Sequence, residues 1–179
     1  DFSGFCPFAK DDLPPDMPEA LGEAIESVMF VDASDAANLV NRHLRTGVLI
    51  YVNKAPIIWY SKKQNSVETS SFGSEFAALK TGVELLEGLR YKLRMMGVPL
   101  KGYCKCNVDN MSVVKNASVP GSTLKKKSNS IAYHYVRSRC AADVLRVQWV
   151  PTGENLADIL TKIQPGTVCD ELAMCMMYD

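Results

Sequence analysis

The sequence predicts an α/β domain built around a mixed sheet. Three segments of strand-forming residues come first, a long amphipathic helix follows, and two more strands alternate with helices after it. This order, β-β-β-α-β-α-α-β-α, predicts three antiparallel strands and a helical crossover that lays the fourth strand parallel to the first. The chain of 179 residues is 47% hydrophobic and 22% charged, which suits one globular domain with a buried core.

The first three strands are runs of β-branched and aromatic residues bounded by polar loops or turns. They are predicted at residues 27–34, 46–53 and 55–62. The last two are separated by a tight connection, so they form a hairpin. Asp32 lies late in the first strand.

A long helix is predicted over residues 69–97, where apolar side chains recur at alternating steps of three and four. Ser70 or Ser71 can cap its start, and Gly97 suits a left-handed end. Glu75 is expected in the first turn, at the margin of the apolar stripe. Its simplest role there is to complement the helix dipole.

The second half of the chain alternates shorter strands and helices. The predicted strands are 102–108 and 144–150, and the predicted helices are 110–117, 124–142 and 154–162. Trp59 and Trp149 fall in predicted strands, and we expect them in the core rather than as platforms for stacked bases.

The chain divides into a domain and two flanking segments. We assign residues 28–163 to the domain and residues 1–27 to an extended, proline-containing tether that lies on a neighbouring surface. Residues 164–179 form a tail with one or two amphipathic turns. Because the sequence opens without a methionine, we expect it to be a piece of a longer protein.

Composition narrows the class of protein. With 20 basic and 20 acidic residues the net charge is zero, so a nucleic-acid partner must be argued from local clusters. Six cysteines without a C-x-x-C pair indicate structural thiols and a reducing, intracellular compartment. No apolar run has the length of a membrane span, so we expect no membrane partner.

Four carboxylates stand at junctions of the predicted elements. They are Asp32, Glu75, Asp109 and Asp158. Asp32 and Asp109 fall at the ends of adjacent parallel strands, where α/β sheets hold their ligands, and the helices with Glu75 and Asp158 can flank that edge. Converging carboxylates without basic partners repel one another, and Mg²⁺ or Mn²⁺ relieves the repulsion. Paired ions suit in-line displacement at phosphorus.

Each carboxylate also has an ordinary structural explanation. Asp32 can cap the loop after its strand, and Asp109 can cap the helix that begins at Asn110. Asp158 can be a solvated residue on a helix face. These alternatives stay open for each residue alone, whereas the joint placement of all four favours a shared site.

Four motifs carry a resemblance to a known family. They are FVDASDAAN, SKKQ-x-x-V-x-x-SS followed by SE, VDNMSVVKN and N-x-ADI-x-TK, one around each of the four carboxylates. From about residue 28 to residue 162, the sequence resembles the ribonuclease H domain of the reverse transcriptase in copia-type LTR retrotransposons. The proline-rich start is similar to the segment that leads into that domain.

This resemblance implies a ribonuclease H-like fold, with a five-stranded mixed sheet flanked by helices, that hydrolyses the RNA strand of RNA–DNA hybrids during reverse transcription. The residues that it implies to be catalytic and metal-binding are Asp32, Glu75, Asp109 and Asp158. Two Mg²⁺ or Mn²⁺ ions would activate water and stabilise the departing 3′-oxygen. The implied partners are an RNA–DNA hybrid and a covalently linked polymerase domain, and the implied location is the cytoplasm, within a virus-like particle, or the nucleus.

Basic and polar residues near the predicted edge are candidates for substrate binding, because phosphate contacts position a nucleic acid. They are Lys62, Lys63, Ser71, Asn110, Lys125, Lys126 and Lys127. The resemblance adds His134, which the family pattern also has. Ser71 and Asn110 can hydrogen-bond a phosphate or the 2′-hydroxyl that distinguishes RNA from DNA. Lysine runs are more often solvated faces. Ser128 stands where the family has a histidine, which predicts reduced activity if that histidine helps the hybrid dock or the product leave.

Other proteins share such a sheet. Integrase-type transposases order their carboxylates Asp, Asp, Glu, whereas Glu75 comes second here. Proofreading-type exonucleases place Asp-x-Glu in the first strand, whereas alanine and serine follow Asp32. A catalytically silent domain that binds hybrid or braces the polymerase stays open as an alternative.

Overall fold

The computed structural model has the predicted α/β architecture. It describes residues 2, 6, 8–34, 44–64, 70–124, 129–163 and 165–177. The strands are β1 Ser27–Ala33, β2 Arg45–Val52, β3 Ala55–Lys63, β4 Cys104–Val108 and β5 Leu145–Trp149. The α-helices are α1 Ser71–Met95, α2 Met111–Ser118, α3 Ser130–Ala141 and α4 Gly166–Met177. Two 3₁₀ helices, Thr152–Glu154 and Leu156–Leu160, lie between β5 and α4.

The strands form one mixed sheet in the order β3-β2-β1-β4-β5. β1 pairs antiparallel with β2 and parallel with β4, as the sequence predicts, and β4 pairs parallel with β5. The helix α1 supplies the crossover that a parallel β1–β4 pair requires. The C-terminal ends of β1 and β4 therefore lie at one edge of the sheet, where Asp32 pairs with Gly47 of β2.

The helix α1 packs on the sheet through the apolar stripe that the sequence predicts. The side chains of this stripe that are fully buried are Phe76, Leu79, Val83 and Leu86. Ser70 rather than Ser71 caps the helix, since its side chain accepts a hydrogen bond from the Gly73 N–H. Gly97 follows the helix with φ +73°, the left-handed conformation expected there.

The cysteines of β4 lie in the same core. Cys104 and Cys106 are fully buried, and Cys140 of α3 packs against the same cluster. Burial raises the pKa of all three thiols, which keeps them in the unreactive neutral form. All six cysteines of the chain are free, and Cys175 is exposed.

The segment predicted as one helix at 154–162 forms 3₁₀ helices instead. The buried Asn155 separates them, because its backbone is extended (φ −80°, ψ 99°) and its side chain accepts a hydrogen bond from the Ala157 N–H. The next N–H groups bond three residues back, from Asp158 to Asn155 and from Thr161 to Asp158. The tail then forms the three-turn helix α4, longer than predicted.

The helix α4 lies against the sheet on the side away from α1. Ile50 of β2 belongs to the core beneath α1, so its neighbour Tyr51 points to the other face. The Tyr51 hydroxyl donates to the carbonyl of Met176 at 3.3 Å, and Leu172 of α4 is buried. The helix α4 therefore covers part of the second face of the sheet, at β2.

The expectation that the two tryptophans lie in the core is wrong. Trp59 is 68% exposed and Trp149 is 47% exposed. They belong to β3 and β5, the two edge strands, and a local strand pattern does not show which strands become edges. The indole N–H of Trp149 donates to the backbone carbonyl of Asp109 at 3.0 Å.

Residues 8–26 contact the C-terminal half of α1 and the loop that follows it. Arg90 and Arg94 of α1 form ion pairs with Asp11, and the Leu21 N–H donates to the loop after the helix. The segment is therefore attached to the domain at more than one point. Among the helices that the structure describes, none combines the length and hydropathy that crossing a membrane requires.

Candidate active site

Three of the four predicted carboxylates meet at the edge formed by β1 and β4. Asp32 lies near the end of β1, Asp109 directly follows β4, and Glu75 lies one turn inside α1. One carboxylate oxygen from each lies within 4.8 Å of the other two. Asp32 is 1% exposed and Glu75 is 9% exposed, whereas Asp109 is half-buried. Glu75 is thus a buried residue beyond the first turn, which does not fit the helix-dipole explanation.

Asp158 is buried beside this group, so it is not a solvated residue on a helix face. Its Oδ1 accepts a hydrogen bond from Lys162 Nζ at 2.7 Å, and the same ammonium lies 3.5 Å from Oδ1 of Asp32. Thr161 Oγ1 donates a hydrogen bond to Oδ2 of Asp32. The acidic residues therefore do have a basic partner, contrary to the sequence expectation. Their partner is Lys162, four residues after Asp158.

Burial is the main cause that raises the pKa of Asp32 to about 6. The negative charges of Asp158 and Asp109 raise this pKa further, whereas the hydrogen bond from Thr161 and the charge of Lys162 lower it. For Lys162, burial lowers the pKa. The hydrogen bond to Asp158 and the charge of Asp32 outweigh burial, so the pKa of Lys162 is raised overall. The site therefore favours positive charge.

The residues of this edge fit a divalent cation. Carboxylate oxygens are the ligands that Mg²⁺ and Mn²⁺ prefer in proteins, and three of them converge here. Within the described part of the chain, Oδ1 of Asp32 is buried and accepts no hydrogen bond. The nearest cation is Lys162 Nζ at 3.5 Å, which donates no hydrogen bond to this oxygen, so the oxygen keeps its lone pairs for a divalent ion.

Solved structures share this fold. LC11-RNase H1 in complex with an RNA/DNA hybrid gives a TM-score of 0.60 at 17% identity, over 76% of this chain and 94% of that one. The N-terminal RNase H domain of rv2228c from Mycobacterium tuberculosis, solved as a fusion with maltose binding protein, gives 0.59 at 15% identity, over 84% and 98%. The native protease–reverse transcriptase of prototype foamy virus gives 0.51 at 15% identity, over 90% and 22%. The fold is that of ribonuclease H.

No family model matches the chain, but curated proteins do. The retrovirus-related Pol polyprotein from transposon TNT 1-94 of Nicotiana tabacum is 31% identical over 147 residues, or 80% of this chain. The polyprotein from transposon RE2 of Arabidopsis thaliana is 28% identical over 141 residues, or 79%. This chain belongs to the copia-type Pol polyproteins, and the part of them that it matches has the ribonuclease H fold. It spans 11% and 10% of the lengths of these two relatives.

In this domain, two side-chain amides position the carboxylates, and the sequence analysis assigned neither a role. The buried Asn155 donates to the carbonyl of Val31 at 3.0 Å. Gln64 donates to the carbonyl of Ser74 at 2.9 Å. Each of these carbonyls belongs to the residue directly before a site carboxylate. The available signal was the motif itself, since both amides are fixed letters of N-x-ADI-x-TK and SKKQ.

The second 3₁₀ helix of the domain approaches the sheet closely at Gly47. A Cβ at this position would lie 2.5 Å from Thr161 Cγ2 and 2.9 Å from the carbonyl oxygen of Ala157. Gly47 also pairs with Asp32 across β1 and β2. The missing side chain therefore lets Thr161 reach the carboxylate of Asp32.

Two of the predicted substrate residues lie at the same edge as the carboxylates. Lys62 and Lys63 are exposed at the end of β3, and the register pairs Lys62 with Thr46, which in turn pairs with Ala33. His134 is exposed on α3, and its ring makes an edge-to-face contact with the neighbouring tyrosine. The predicted residues that lie outside the described part of the chain are Lys125, Lys126, Lys127 and Ser128.

Asn110 and Ser71 have structural roles at helix starts. The side chain of Asn110 caps α2 by accepting a hydrogen bond from the Ser112 N–H at 2.9 Å. The alternative in which Asp109 caps this helix is therefore wrong, and its carboxylate is available to the site. Ser71 is exposed at the first position of α1, where its carbonyl accepts a hydrogen bond from the Ser74 hydroxyl at 2.8 Å.

Proposed function

We propose that this domain is a retrotransposon ribonuclease H, a metal-dependent endonuclease that hydrolyses the RNA strand of RNA–DNA hybrids during reverse transcription. The observation that carries the proposal is the convergence of Asp32, Glu75 and Asp109 within 4.8 Å at one edge of the sheet. The shared fold with LC11-RNase H1, which was solved with an RNA/DNA hybrid, supports it.

We assign metal binding to the four carboxylates. Asp32, Glu75 and Asp109 form the first group, and Asp158 joins them through its position beside Asp32. Two Mg²⁺ or Mn²⁺ ions suit this acidic set, because bound ions would activate water and stabilise the departing 3′-oxygen. The protein holds its carboxylates in place through burial and through the amide of Asn155. Because the activated water would be the nucleophile, no side-chain nucleophile is required.

We propose that basic residues beside the carboxylates grip the phosphates of the hybrid. Lys62 and Lys63 are exposed at the correct edge, and phosphate contacts of this kind fix register without reading sequence. The further candidates are Ser71, Asn110, Lys125, Lys126, Lys127 and His134. Since the chain has zero net charge, we expect a linked polymerase domain to supply part of the affinity. Equal cleavage rates for the isolated domain and the full Pol enzyme would contradict that expectation.

The proposed setting is an intracellular, reducing compartment. All six thiols are free, which is usual for proteins kept reduced inside cells. The curated relatives are Pol polyproteins of transposons. This supports the proposal that the domain acts on reverse-transcription intermediates in the cytoplasm or the nucleus.

Cleavage of a labelled RNA–DNA hybrid tests the proposed function. The parent is compared with Asp109→Asn and with the control Asp143→Asn, which alters an exposed aspartate away from the carboxylate group. We expect cleavage with Mg²⁺ or Mn²⁺ by the parent and the control, and a loss of at least about a hundredfold in Asp109→Asn. Hybrid binding without cleavage by the parent would instead favour the catalytically silent domain.

A further inference from the structure

One cation of the chain already occupies the acidic site. Lys162 Nζ lies 2.7 Å from Oδ1 of Asp158 and 3.5 Å from Oδ1 of Asp32. The two carboxylates are almost completely buried, whereas 35% of the lysine side chain is exposed. The ammonium therefore enters the site from the solvent side and lies between two carboxylates that belong to different elements.

The backbone holds Lys162 at this place. The second 3₁₀ helix ends at Leu160, and the Lys162 N–H then donates to the carbonyl of Asp158 at 3.0 Å. Asn155 ties the start of the same helix to β1. Thr161, the residue before the lysine, donates to Asp32. Because the segment is fixed at both ends, the short distance from Lys162 to the carboxylates is built into the fold.

A divalent ion held by these residues would compete with the ammonium for the carboxylate oxygens. A metal ion bound by Asp32 must approach its carboxylate, whose Oδ1 faces Lys162 Nζ. Two cations in contact with one buried carboxylate repel each other strongly where little water screens them. Lys162 can leave the site without unfolding, since its flexible stem is partly exposed.

We propose that Lys162 is a resident counter-cation that competes with the divalent metal at Asp32 and Asp158 and so sets the metal affinity of the site. This inference rests on the proposed metal-dependent function. The ammonium neutralises the carboxylates while no metal is bound, and metal binding displaces it towards solvent. Linkage makes the effect reciprocal: whatever weakens the lysine contact strengthens metal binding.

The test is titration of the purified domain with MnCl₂ and with MgCl₂, followed by calorimetry and by thermal unfolding. Lys162→Met removes the ammonium and keeps the apolar stem. Lys101→Met is the matched control, because Lys101 forms an exposed ion pair with Glu26 away from the site. Work at about pH 8 keeps protons from replacing the lysine as competitors.

We expect Lys162→Met to bind Mn²⁺ about tenfold more tightly than the parent. In EDTA its unfolding midpoint is expected to lie below that of the parent. With added Mn²⁺ the midpoint is expected to rise more steeply than that of the parent. Lys101→Met and the charge-retaining Lys162→Arg are expected to stay closer to the affinity of the parent. If Lys162→Met does not fold, Lys162→Gln provides the same comparison, because it removes the charge and keeps a hydrogen-bond donor.

The outcomes separate this inference from the proposed function. Metal binding by the parent, with equal or weaker binding by the uncharged variants, overturns the role of Lys162 and leaves the metal site intact. No metal binding by any variant overturns both. Binding by Lys162→Met but not by the parent would support the competition directly.

Discussion

At the scale of single residues, Asp32 links the site to the stability of the domain. Its native pKa of about 6 lies above the ordinary value of 3.8, with burial as the main cause. Between these two values the native state binds more protons than the unfolded state, so the free energy of unfolding falls as the pH rises. Without metal, an ionised Asp32 therefore destabilises the native state.

We expect Asp32→Asn to be more stable than the parent at neutral pH when metal is chelated. Asparagine has nearly the same shape as aspartate and carries no charge to desolvate. The rise of the Asp32 pKa from 3.8 to about 6 limits the gain in the free energy of unfolding to roughly 3 kcal/mol. Urea denaturation in EDTA at about pH 4 and about pH 7 measures the difference. A difference that does not grow with pH would contradict this account. Asp143→Asn serves as the exposed control.

Arg137 shows how one buried charge fixes a connection. It is 6% exposed and lies on α3. Its guanidinium donates hydrogen bonds to four acceptors in the last turn of α2 and in the segment that follows it. They are the carbonyls of Asn116, Val119 and Pro120 and the hydroxyl of Ser122. The path of the chain between α2 and α3 therefore depends on this side chain.

We expect Arg137→Met to lower the free energy of unfolding by about 2–4 kcal/mol, because three carbonyls and a hydroxyl in part-buried hydrogen bonds lose their donor at once. Arg146→Met is the control. Arg146 is exposed and pairs with Asp143, so its loss is expected to be below about 1 kcal/mol. Urea denaturation curves of the two variants decide the point, and equal losses would show that the Arg137 bonds contribute little.

At the scale of elements, the contact between Gly47 and the second 3₁₀ helix sets the geometry of the site. We expect Gly47→Ala to push Thr161 and the helix away from the sheet, since the added Cβ would lie 2.5 Å from Thr161 Cγ2. Overpacking of this kind lowers stability by about 1–3 kcal/mol, and hybrid cleavage is expected to fall by more than this loss explains. Gly88→Ala in the exposed part of α1 is the control, because no atom lies within 4 Å of its new Cβ. Full cleavage by Gly47→Ala would refute the role of the contact.

The elements also show what the sequence could predict. Periodicity along the chain determined α1 and the strands, and the crossover rule brought Asp32 and Asp109 to one edge. The position of Lys162 was not predictable in this way, because it depends on a change from α-helix to 3₁₀ helix at Asn155. The exposure of Trp59 depends on strand order, which is a property of the whole sheet. Local patterns carry no information on such tertiary features.

At the scale of the whole molecule, the segment of residues 8–26 is held to the domain partly by ion pairs. Asp11 accepts hydrogen bonds from Arg90 at 3.0 Å and from Arg94 at 2.5 Å. Burial raises the pKa of Asp11, but the hydrogen bonds from the two arginines outweigh it and lower the pKa below 3.8. Ionised Asp11 therefore stabilises the native state at a pH above its ordinary pKa of 3.8, and this contribution is lost as the pH falls below that value.

We expect Asp11→Asn to loosen this segment without unfolding the domain. Amide hydrogen exchange in residues 8–26 is expected to accelerate by about tenfold, because one charged acceptor of two arginines is lost. Asp12→Asn is the control, since Asp12 is largely exposed and pairs with Arg139 at 3.5 Å. Unchanged exchange at the Leu21 amide in Asp11→Asn would contradict the proposed attachment.

The buried thiols of the core can report local unfolding of the sheet. Cys104 and Cys106 are fully buried in β4, the strand directly before Asp109, whereas Cys175 is exposed. A thiol reagent such as DTNB should modify Cys175 at once and the β4 thiols only when the sheet opens. Because Cys6, Cys140 and Cys169 are partly buried and can also react, pulse labelling has to be measured at the β4 peptide, where it reports openings beneath the acidic edge. Added Mn²⁺ should slow them.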